Sequence, residues 1–569
     1  FNSRLFQFNT GITADLGNLT EGLKFRSNLA IDYTTQYSIA FNNQYAVYEP
    51  VWRNDTIISL TKFGNDARTG VQNVSGSWYS QTQAFSGQLD YQRTFGGIHN
   101  VSGLVLANGF LIGESGVYHS TSNANLGFNA AYNYDRRYYF DFTGALVHSN
   151  RLPQENRLAF SPTFTLGWRI SEEGFMQNVG AVDNLILSAS AGILHTDMDI
   201  AGPHLYRVNY TFTDGAWYNW RDGSSVRTFD LRRGENFNLD FPRREEISAT
   251  LRGSFFDNMI NFETSVFRHR MTGMVVQSDV LFPMFFRTWW PVYTNIPFAN
   301  YNEDERTGVE FSLNLNEQVG QVGLRLGVFG TYYETVARKR AEMWEFDYQN
   351  REGRPIDAIW GLESLGFFTS LEDIANSPSQ IAFGDVAPGD LKYKDQNGDG
   401  LIDTRDEVML GRAGWFGAPM TLGVNVSATW RNFTIFAKGV GRFGAYDLRD
   451  DSYHWINGEE KYSEVVRNRW TPETANTATF PRLTTGAGTN NFRNSDFWMY
   501  STNRFELGKV QITYRLPENI LAGTRIQGLE MYISGFNLLT IAQERETLEL
   551  NIGGAPRTRL FNIGVKAGF

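Results

Sequence analysis

Apolar and polar side chains alternate along most of this chain with a period of two residues, which is typical of β-strands with two different faces. In the segment 126–134, one face of an extended strand would carry Leu126, Phe128, Ala130, Tyr132 and Tyr134. The small or polar residues between them would occupy the other face. After the turn sequence DRR, the apolar face continues with Tyr138, Phe140, Phe142, Gly144 and Leu146. These residues predict an antiparallel hairpin.

The same alternation recurs from end to end, for example in 322–328 and in 422–430 with 433–437. We count about fourteen to seventeen such strands, joined by short turns on one side. Long, polar, aromatic-rich segments join them on the other side, at about 200–245, 272–305, 340–415 and 444–500.

A soluble sandwich and a transmembrane barrel give a similar pattern in each single strand, so the fold depends on features of the whole set. The polar face is rich in Gly, Asn, Ser and Thr, as a wet lumen requires. Aromatic residues such as Tyr134, Tyr138 and Trp430 gather at strand ends, where a membrane-interface girdle would need them. Together with short turns on one side and long loops on the other, they favour an all-β fold, a transmembrane antiparallel β-barrel.

The last residues, LFNIGVKAGF, alternate once more and stop at Phe569. A final strand that ends in an aromatic residue suits the closing strand of a barrel. The alternative is a truncation that happens to fall there. At the other end, Phe1 opens directly into a strand-like pattern, so we expect a cut or incompletely recorded chain.

Composition narrows the class of protein further. The chain has 569 residues, no cysteine, 15% aromatic residues and a net charge of −10. Lack of cysteine excludes disulfides and thiolate chemistry, and the negative charge argues against a nucleic-acid-binding role. No apolar run approaches the ~18 residues of a transmembrane helix. The seven histidines are scattered and no phosphate-binding Gly-Lys-Ser/Thr motif occurs, so we do not expect an enzyme.

One motif points to a metal. Within 385–412, the stretch DQNGDGLIDTRD matches a twelve-residue calcium loop, with Gly400 at the sharp turn and Ile402 where an apolar side chain can anchor the loop. The predicted Ca²⁺ ligands are Asp395, Asn397, Asp399, the carbonyl of Leu401, Asp403 and Asp406. The last ligand is Asp where Glu is usual, so we expect modest affinity. The alternative is a surface turn that binds no metal. If it binds metal, we expect the loop to be a structural staple, because it lacks the flanking helices of a calcium sensor.

The residues resemble those of a known family, the SusC-like TonB-dependent transporters of the Gram-negative outer membrane. The resemblance covers nearly the whole chain, as the C-terminal two-thirds of such a barrel. It is carried by LDYQRTFGGIHNVSGLV (89–105), YNYDRRYYFDFTGALVHS (132–149), FSPTFTLGWRISEEGFM (160–176), NEDERTGVEFSLN (302–314), GDLKYKDQNGDGLIDTRDEVMLG (389–411), RWTPETANTATFPRL (469–483), SDFWMYSTNRFELGKVQITYRLP (495–517) and ISGFNLLT (533–540).

The resemblance implies a barrel of about 22 strands whose plug domain and first strands lie upstream of Phe1. It further implies active import of a bulky nutrient, an oligosaccharide or a peptide, driven by the TonB complex through that upstream region. A SusD-type surface lipoprotein would be the partner, outer-membrane lipid the surroundings, and pairs of transporters could form dimers. Substrate contacts could come from four aromatic residues, although girdle or loop packing would also explain each of them: Trp289, Trp290, Tyr293 and Trp415.

Two other interpretations of the function stay open. The first is a passive porin of about sixteen strands, which matches the number of strands visible here. The second is a SusC-like structural subunit of a larger outer-membrane assembly. An upstream plug would separate the importer from the porin, and stable partners other than a SusD-type lipoprotein would favour the structural subunit.

Overall fold

The computed structural model describes residues 2–568 apart from 41–42, 54, 69–72, 119, 212–216, 287–294, 457–462, 485 and 487. The chain divides into two compact units, which are described one at a time. The first comprises Phe1–Phe164 and Ile200–His204, and the second Thr165–Asp199 and Leu205–Phe569.

The described part of the first unit consists of strands and one 3-10 helix, Gln154–Asn156. In chain order they are β1 (Asn2–Asp15), β2 (Leu23–Ala40), β3 (Asn43–Gln44), β4 (Val47–Arg53), β5 (Thr56–Phe63), β6 (Ala67–Arg68), β7 (Asn73–Phe95), β8 (His99–Glu114), β9 (Thr121–Tyr134) and β10 (Tyr138–Ser149). Strand β11 (Leu158–Arg169) runs across the boundary between the units. Long strands pair antiparallel in the order β1, β2, β7, β8, β9, β10.

The second unit carries the remaining elements. Its strands are β12 (Val182–His195), β13 (Asn209–Thr211), β14 (Trp217–Asn219), β15 (Ser225–Arg227), β16 (Asp230–Arg233), β17 (Arg243–Phe255), β18 (Ile260–Val276), β19 (Ala299–Val319), β20 (Val322–Lys339), β21 (Ala358–Gly361), β22 (Ser364–Phe367), β23 (Leu391–Tyr393), β24 (Val408–Arg412), β25 (Met420–Trp430), β26 (Phe433–Phe443), β27 (Tyr446–Leu448), β28 (Met499–Ser501), β29 (Arg504–Arg515), β30 (Gly528–Ala542) and β31 (Leu560–Gly568). Three short helices are α1 (Leu371–Ala375), α2 (Glu518–Leu521) and α3 (Arg545–Leu550).

Long strands of the second unit also pair antiparallel with their neighbours in sequence. The order is β12, β17, β18, β19, β20, β25, β26, β29, β30, β31. In the described part of the chain, seventeen strands belong to one antiparallel sheet. The predicted all-β fold and its strand number are therefore confirmed.

The predicted hairpins form in the predicted register. Tyr134 lies opposite Tyr138, and the turn between them holds Asp135 and Arg136 at φ of 49° and 55°. Two successive positive φ angles match the twist of the flanking strands in a tight hairpin. Trp430 likewise lies opposite Phe433.

Long connections occur where the sequence predicted them, at 196–242, 277–298, 340–419 and 444–503. One was not predicted. Between β2 and β7, the ribbons β3–β6 and β4–β5 extend a further long connection whose short strands have no clear two-residue rhythm.

The two faces of the second unit's sheet differ as predicted. Directly paired residues share a face, so Leu326, Val426 and Ala437 form one apolar row across β20, β25 and β26. The alternate positions carry polar or small residues, such as Asn425 and Ser427.

The apolar face is left uncovered. Ile435 is 51% exposed, Ile533 49% and Ile563 78%. A soluble sandwich would bury this face, because exposed apolar area of such extent is unfavourable in water. The face is therefore suited to contact lipid acyl chains.

Candidate functional site

Two long connections of the second unit pack together into a compact body, which we call the cap: the described residues of 340–419 and 444–503. Its core is a cluster of side chains that are at most 5% exposed: Leu362, Phe383, Leu391, Tyr393, Ile402, Phe480 and Trp498. Both connections contribute to this cluster. Removal of these apolar surfaces from water therefore holds the two segments together.

Buried amides tie the same two segments by hydrogen bonds. The side-chain amide of Gln380 donates to the side-chain oxygen of Asn490 at 2.6 Å. Asn491 accepts from the N–H of Leu391 and donates to Asp390, both at 2.8 Å. Buried polar groups are costly unless they are paired, so these bonds help to fix one arrangement of the cap.

The cap is anchored to the polar face of the sheet by charged groups around one tyrosine ring. The guanidinium carbon of Arg306 on β19 lies 4.6 Å from the ring centre of Tyr333 on β20, and that of Arg412 on β24 lies 5.7 Å away. Asp357, 1% exposed, accepts at 3.0 Å from both Arg412 Nε and the Gly414 N–H. Sequence reasoning missed this cluster because its members are distant in sequence and form no local motif.

A cavity of about 500 Å³ opens among the cap residues. Its polar and aromatic lining includes Arg340, Glu342, Arg351, Trp360, Glu407, Trp415, Asp447 and Asp450. Trp415, one of the predicted substrate contacts, is 68% exposed. Trp360 lies beneath the guanidinium of Arg351, whose central carbon is 5.6 Å from its ring centre. The cavity thus combines aromatic surface with charges of both signs.

Two carboxyl groups of the cavity have altered acidity. Burial raises the pKa of Glu407, an effect partly offset by Arg351 and Arg493. Burial also raises the pKa of Asp450, and the neighbouring carboxylates of Asp447 and Asp451 add to this shift. Such groups can donate or accept a hydrogen bond according to pH, and the lining suits a polar ligand.

The other three predicted substrate contacts, Trp289, Trp290 and Tyr293, lie outside the described residues, within 287–294. Their role stays a prediction.

The predicted calcium loop folds as a tight turn held by its own carboxylates. Gly400 has φ of +79°, and Ile402 enters the cap core, as the predicted anchor requires. The two carboxylate oxygens of Asp395 accept from the N–H groups of Gly398 at 2.6 Å and Gly400 at 2.9 Å. Fully buried Asp406 accepts from two further backbone N–H groups, at 2.8 and 2.9 Å.

Arg405 supplies a positive charge inside this loop. Its Nη2 lies 2.8 Å from a carboxylate oxygen of Asp399 and 3.0 Å from one of Asp403. Across the described residues, no group of three or more His, Asp or Glu side chains is arranged so that it could hold a metal ion. The oxygen donors are chemically right for calcium, but Arg405 would have to move away from Asp399 and Asp403 for both to act as ligands.

Comparison with known proteins identifies relatives in sequence and in fold. No family model matches the chain. TonB-dependent receptor P26 of Formosa agariphila is 25% identical over 434 residues, which cover 72% of this chain and 40% of that protein. TonB-dependent receptor SusC of Bacteroides thetaiotaomicron is 28% identical over 204 residues, 34% of this chain and 19% of SusC. The RagAB peptide importer in its open-open state has the same fold, with a TM-score of 0.72, at 16% identity over 100% of this chain and 61% of that chain.

The chain is related to the SusC-like TonB-dependent transporters. Its fold is that of their outer-membrane β-barrels, and its location is the Gram-negative outer membrane. This SusC-like chain spans about two-fifths of the length of receptor P26. Among the described residues, no helix is both long and apolar enough to cross a bilayer.

Proposed function

We propose that this SusC-like chain forms part of an active importer that takes up a bulky polar nutrient, an oligosaccharide or a peptide. The observation that carries the proposal is the cap: two long connections packed as one body, anchored to the polar face of the sheet and enclosing a cavity with charged and aromatic lining. The resemblance in fold to a peptide importer supports it.

The rest of the machinery would come from outside this chain or from further residues of the same protein. We propose that the chain is the C-terminal part of a barrel of about 22 strands, with a plug that the TonB complex pulls. A SusD-type lipoprotein would deliver cargo at the cap, and importers would associate as dimers. The relatives are named TonB-dependent receptors, which supports the TonB complex as the source of energy for import.

The decisive experiment measures uptake of labelled oligosaccharide and peptide mixtures by cells that make the natural full-length protein, with and without a functional TonB. We expect uptake only where TonB is present. Uptake of equal rate in both strains would instead identify a passive porin. No uptake in either strain, together with stable partners other than a SusD-type lipoprotein, would identify a structural subunit.

The cavity can be tested in the same cells. Trp360→Ala with Trp415→Ala should lower uptake several-fold at unchanged surface level, because both aromatic faces of the cavity are removed. Trp430→Ala, at the short-turn end of β25, is the matched control and should leave uptake unchanged. Equal loss in the control would contradict a substrate role for the cavity.

We also propose that the loop Asp395–Asp406 binds Ca²⁺ as a staple of the cap. Calcium would add charge-assisted bonds to oxygens that now hold the turn, with affinity on the order of 10⁻⁴–10⁻³ M, as in extracellular modules. Calcium titration of the full-length protein, read by protease resistance of 385–412, should show protection. Arg405→Gln should strengthen this binding and Asp399→Asn should abolish it. Absence of protection in both the natural protein and Arg405→Gln would refute the site.

A further inference from the structure

Two neighbouring strands carry an unusual concentration of positive charge on their polar face. Lys438 and Arg442 lie on β26, and Arg504 and Lys509 lie on β29. Arg557, from the segment before β31, reaches the same place. We call these five residues the cationic stripe. Their one ion-pair partner in the described part of the chain is Glu506.

The like charges face each other directly. Arg442 is the cross-strand partner of Arg504, and Lys438 is the partner of Lys509. Like charges directly opposite each other destabilise a sheet. At one level the conflict is relieved, because Glu506 accepts from Arg442 at 2.5 Å and from Arg504 at 2.9 Å.

At the other level the conflict is not relieved. Neither Lys438 nor Lys509 forms an ion pair with any carboxylate that the structure describes, and the Nζ of Lys509 lies 5.3 Å from the ring centre of Phe536. Lys438 is exposed. The ring of Phe536 stabilises the charge of Lys509 in part, but no described carboxylate neutralises the two lysines, and an anionic ligand would relieve their repulsion.

The spacing of the charges favours a ligand with more than one anionic group. Lys438 and Arg442 are four residues apart on the same face, which separates the two levels by about 13 Å. The partners at each level are about 5 Å apart, the distance between neighbouring strands. An extended molecule with repeated oxyanions could contact both levels at once.

An aromatic ring lies at the height of Glu506 on the same face. The row runs from Phe329 on β20 through Gly423 and Val440 to Glu506. Phe329 lies over Gly423, where a Cβ atom would stand 2.1 Å from the ring carbon Cζ, and Phe329 is still 44% exposed. An aromatic ring that packs over a glycine of the neighbouring strand and stays partly exposed presents a surface on which the C–H groups of a sugar can pack.

We propose that the cationic stripe binds carboxylate or sulfate groups of an acidic oligosaccharide, with Phe329 as a packing surface for its sugar rings. The inference rests on the proposed import function and names the chemical class of its cargo. Charge-assisted bonds from lysine and arginine to oxyanions supply the attraction.

The test uses the natural full-length protein in detergent and three probes of equal length: dextran sulfate, carboxymethyl dextran and uncharged dextran. Isothermal titration should show binding of a charged probe that weakens with added salt and at least about tenfold weaker binding of uncharged dextran. The double variant Lys438→Gln with Lys509→Gln should lose at least about tenfold in affinity for that charged probe. Comparison of the two charged probes separates sulfate from carboxylate recognition.

The matched control is Arg325→Gln with Arg431→Gln, which removes the same charge from a different cavity, lined by Arg325 of β20 and by Arg431 in the turn after β25. It should change the affinity less than about twofold. Equal losses in both double variants, equal binding of all three dextrans, or lysine-dependent binding of poly-glutamate in place of the dextrans would each overturn the inference. The import proposal fails separately, if uptake does not depend on TonB, so the two outcomes are distinguishable.

Discussion

The sheet and the cap of the second unit treat the same residue types in opposite ways. Trp430 on β25 is 48% exposed, whereas Trp498 in the cap is 3% exposed. Val426 on the apolar face is 37% exposed, whereas Ile402 in the cap core is fully buried. The sheet turns its apolar residues outward toward lipid, and the cap turns them inward as a water-soluble domain does. One chain is therefore built for two solvents.

The largest contrast should come from removal of a tryptophan in each region. Trp498→Ala should destabilise the cap by about 3–5 kcal/mol, because it leaves a cavity in the core and an unpaired carbonyl at Asn491. Trp430→Ala should cost less than about 1 kcal/mol. Hydrogen exchange of the cap and sheet amides in the full-length protein measures both effects. Similar losses in the two variants would mean that the cap has no core of its own.

A charge placed on either face of one strand sharpens the comparison within the sheet. Val426→Arg should lower folding stability in lipid vesicles by about 2–4 kcal/mol, because the guanidinium would enter the hydrocarbon layer. Ser427→Arg, one residue further, points to the polar face and should cost far less. The folded fraction in a urea series measures the difference. If the two variants behave alike, the assignment of the faces is wrong.

The smallest expected effect is a dependence of cap stability on pH, with opposite signs at two glutamates. The pKa of Glu407 is raised by burial, so its contribution is greatest below its ordinary value of 4.5 and is lost as pH rises through the folded pKa. The pKa of Glu363 is lowered by hydrogen bonds from Lys394 and Gln396, so its contribution is lost as pH falls through the folded pKa.

Glu407→Gln should therefore flatten the pH profile above 4.5, and Glu363→Gln should flatten it below. Protease resistance of the cap between pH 3 and pH 7 provides the readout. If both substitutions changed protease resistance over the same pH range, these assignments would be wrong.

The sheet could be predicted from sequence because its signal is local. In 126–134 and 422–430, apolar and polar residues alternate, so the residue type at each position indicates the face of the strand on which it lies. The turns between these strands are short. The cap core could not be predicted in this way. Leu362, Ile402 and Trp498 come from segments far apart in sequence, and no fixed period connects them.

In the candidate sites, too, the residues of a local motif could be predicted and the contacts between distant residues could not. Gly400 and Ile402 were predicted because the loop motif assigns each position a task, and both positions are as expected. Arg405 was not predicted to interact with Asp399, because the motif places no requirement on that position. The cationic stripe was missed for a related reason: its charges are neighbours only through the pairing of β26 with β29.

The cluster around Tyr333 has a mechanical consequence. To hinge residues 357–412 away from β19 and β20, the protein would have to lift Arg412 off the ring of Tyr333 and break the hydrogen bond of 3.3 Å that Thr335 Oγ1 on β20 donates to Asp357, a nearly inaccessible carboxylate. That segment is better suited to be a stationary frame than a gate. Opening movements during a transport cycle are then expected in other parts of the complex, and cross-links across this frame should leave turnover intact.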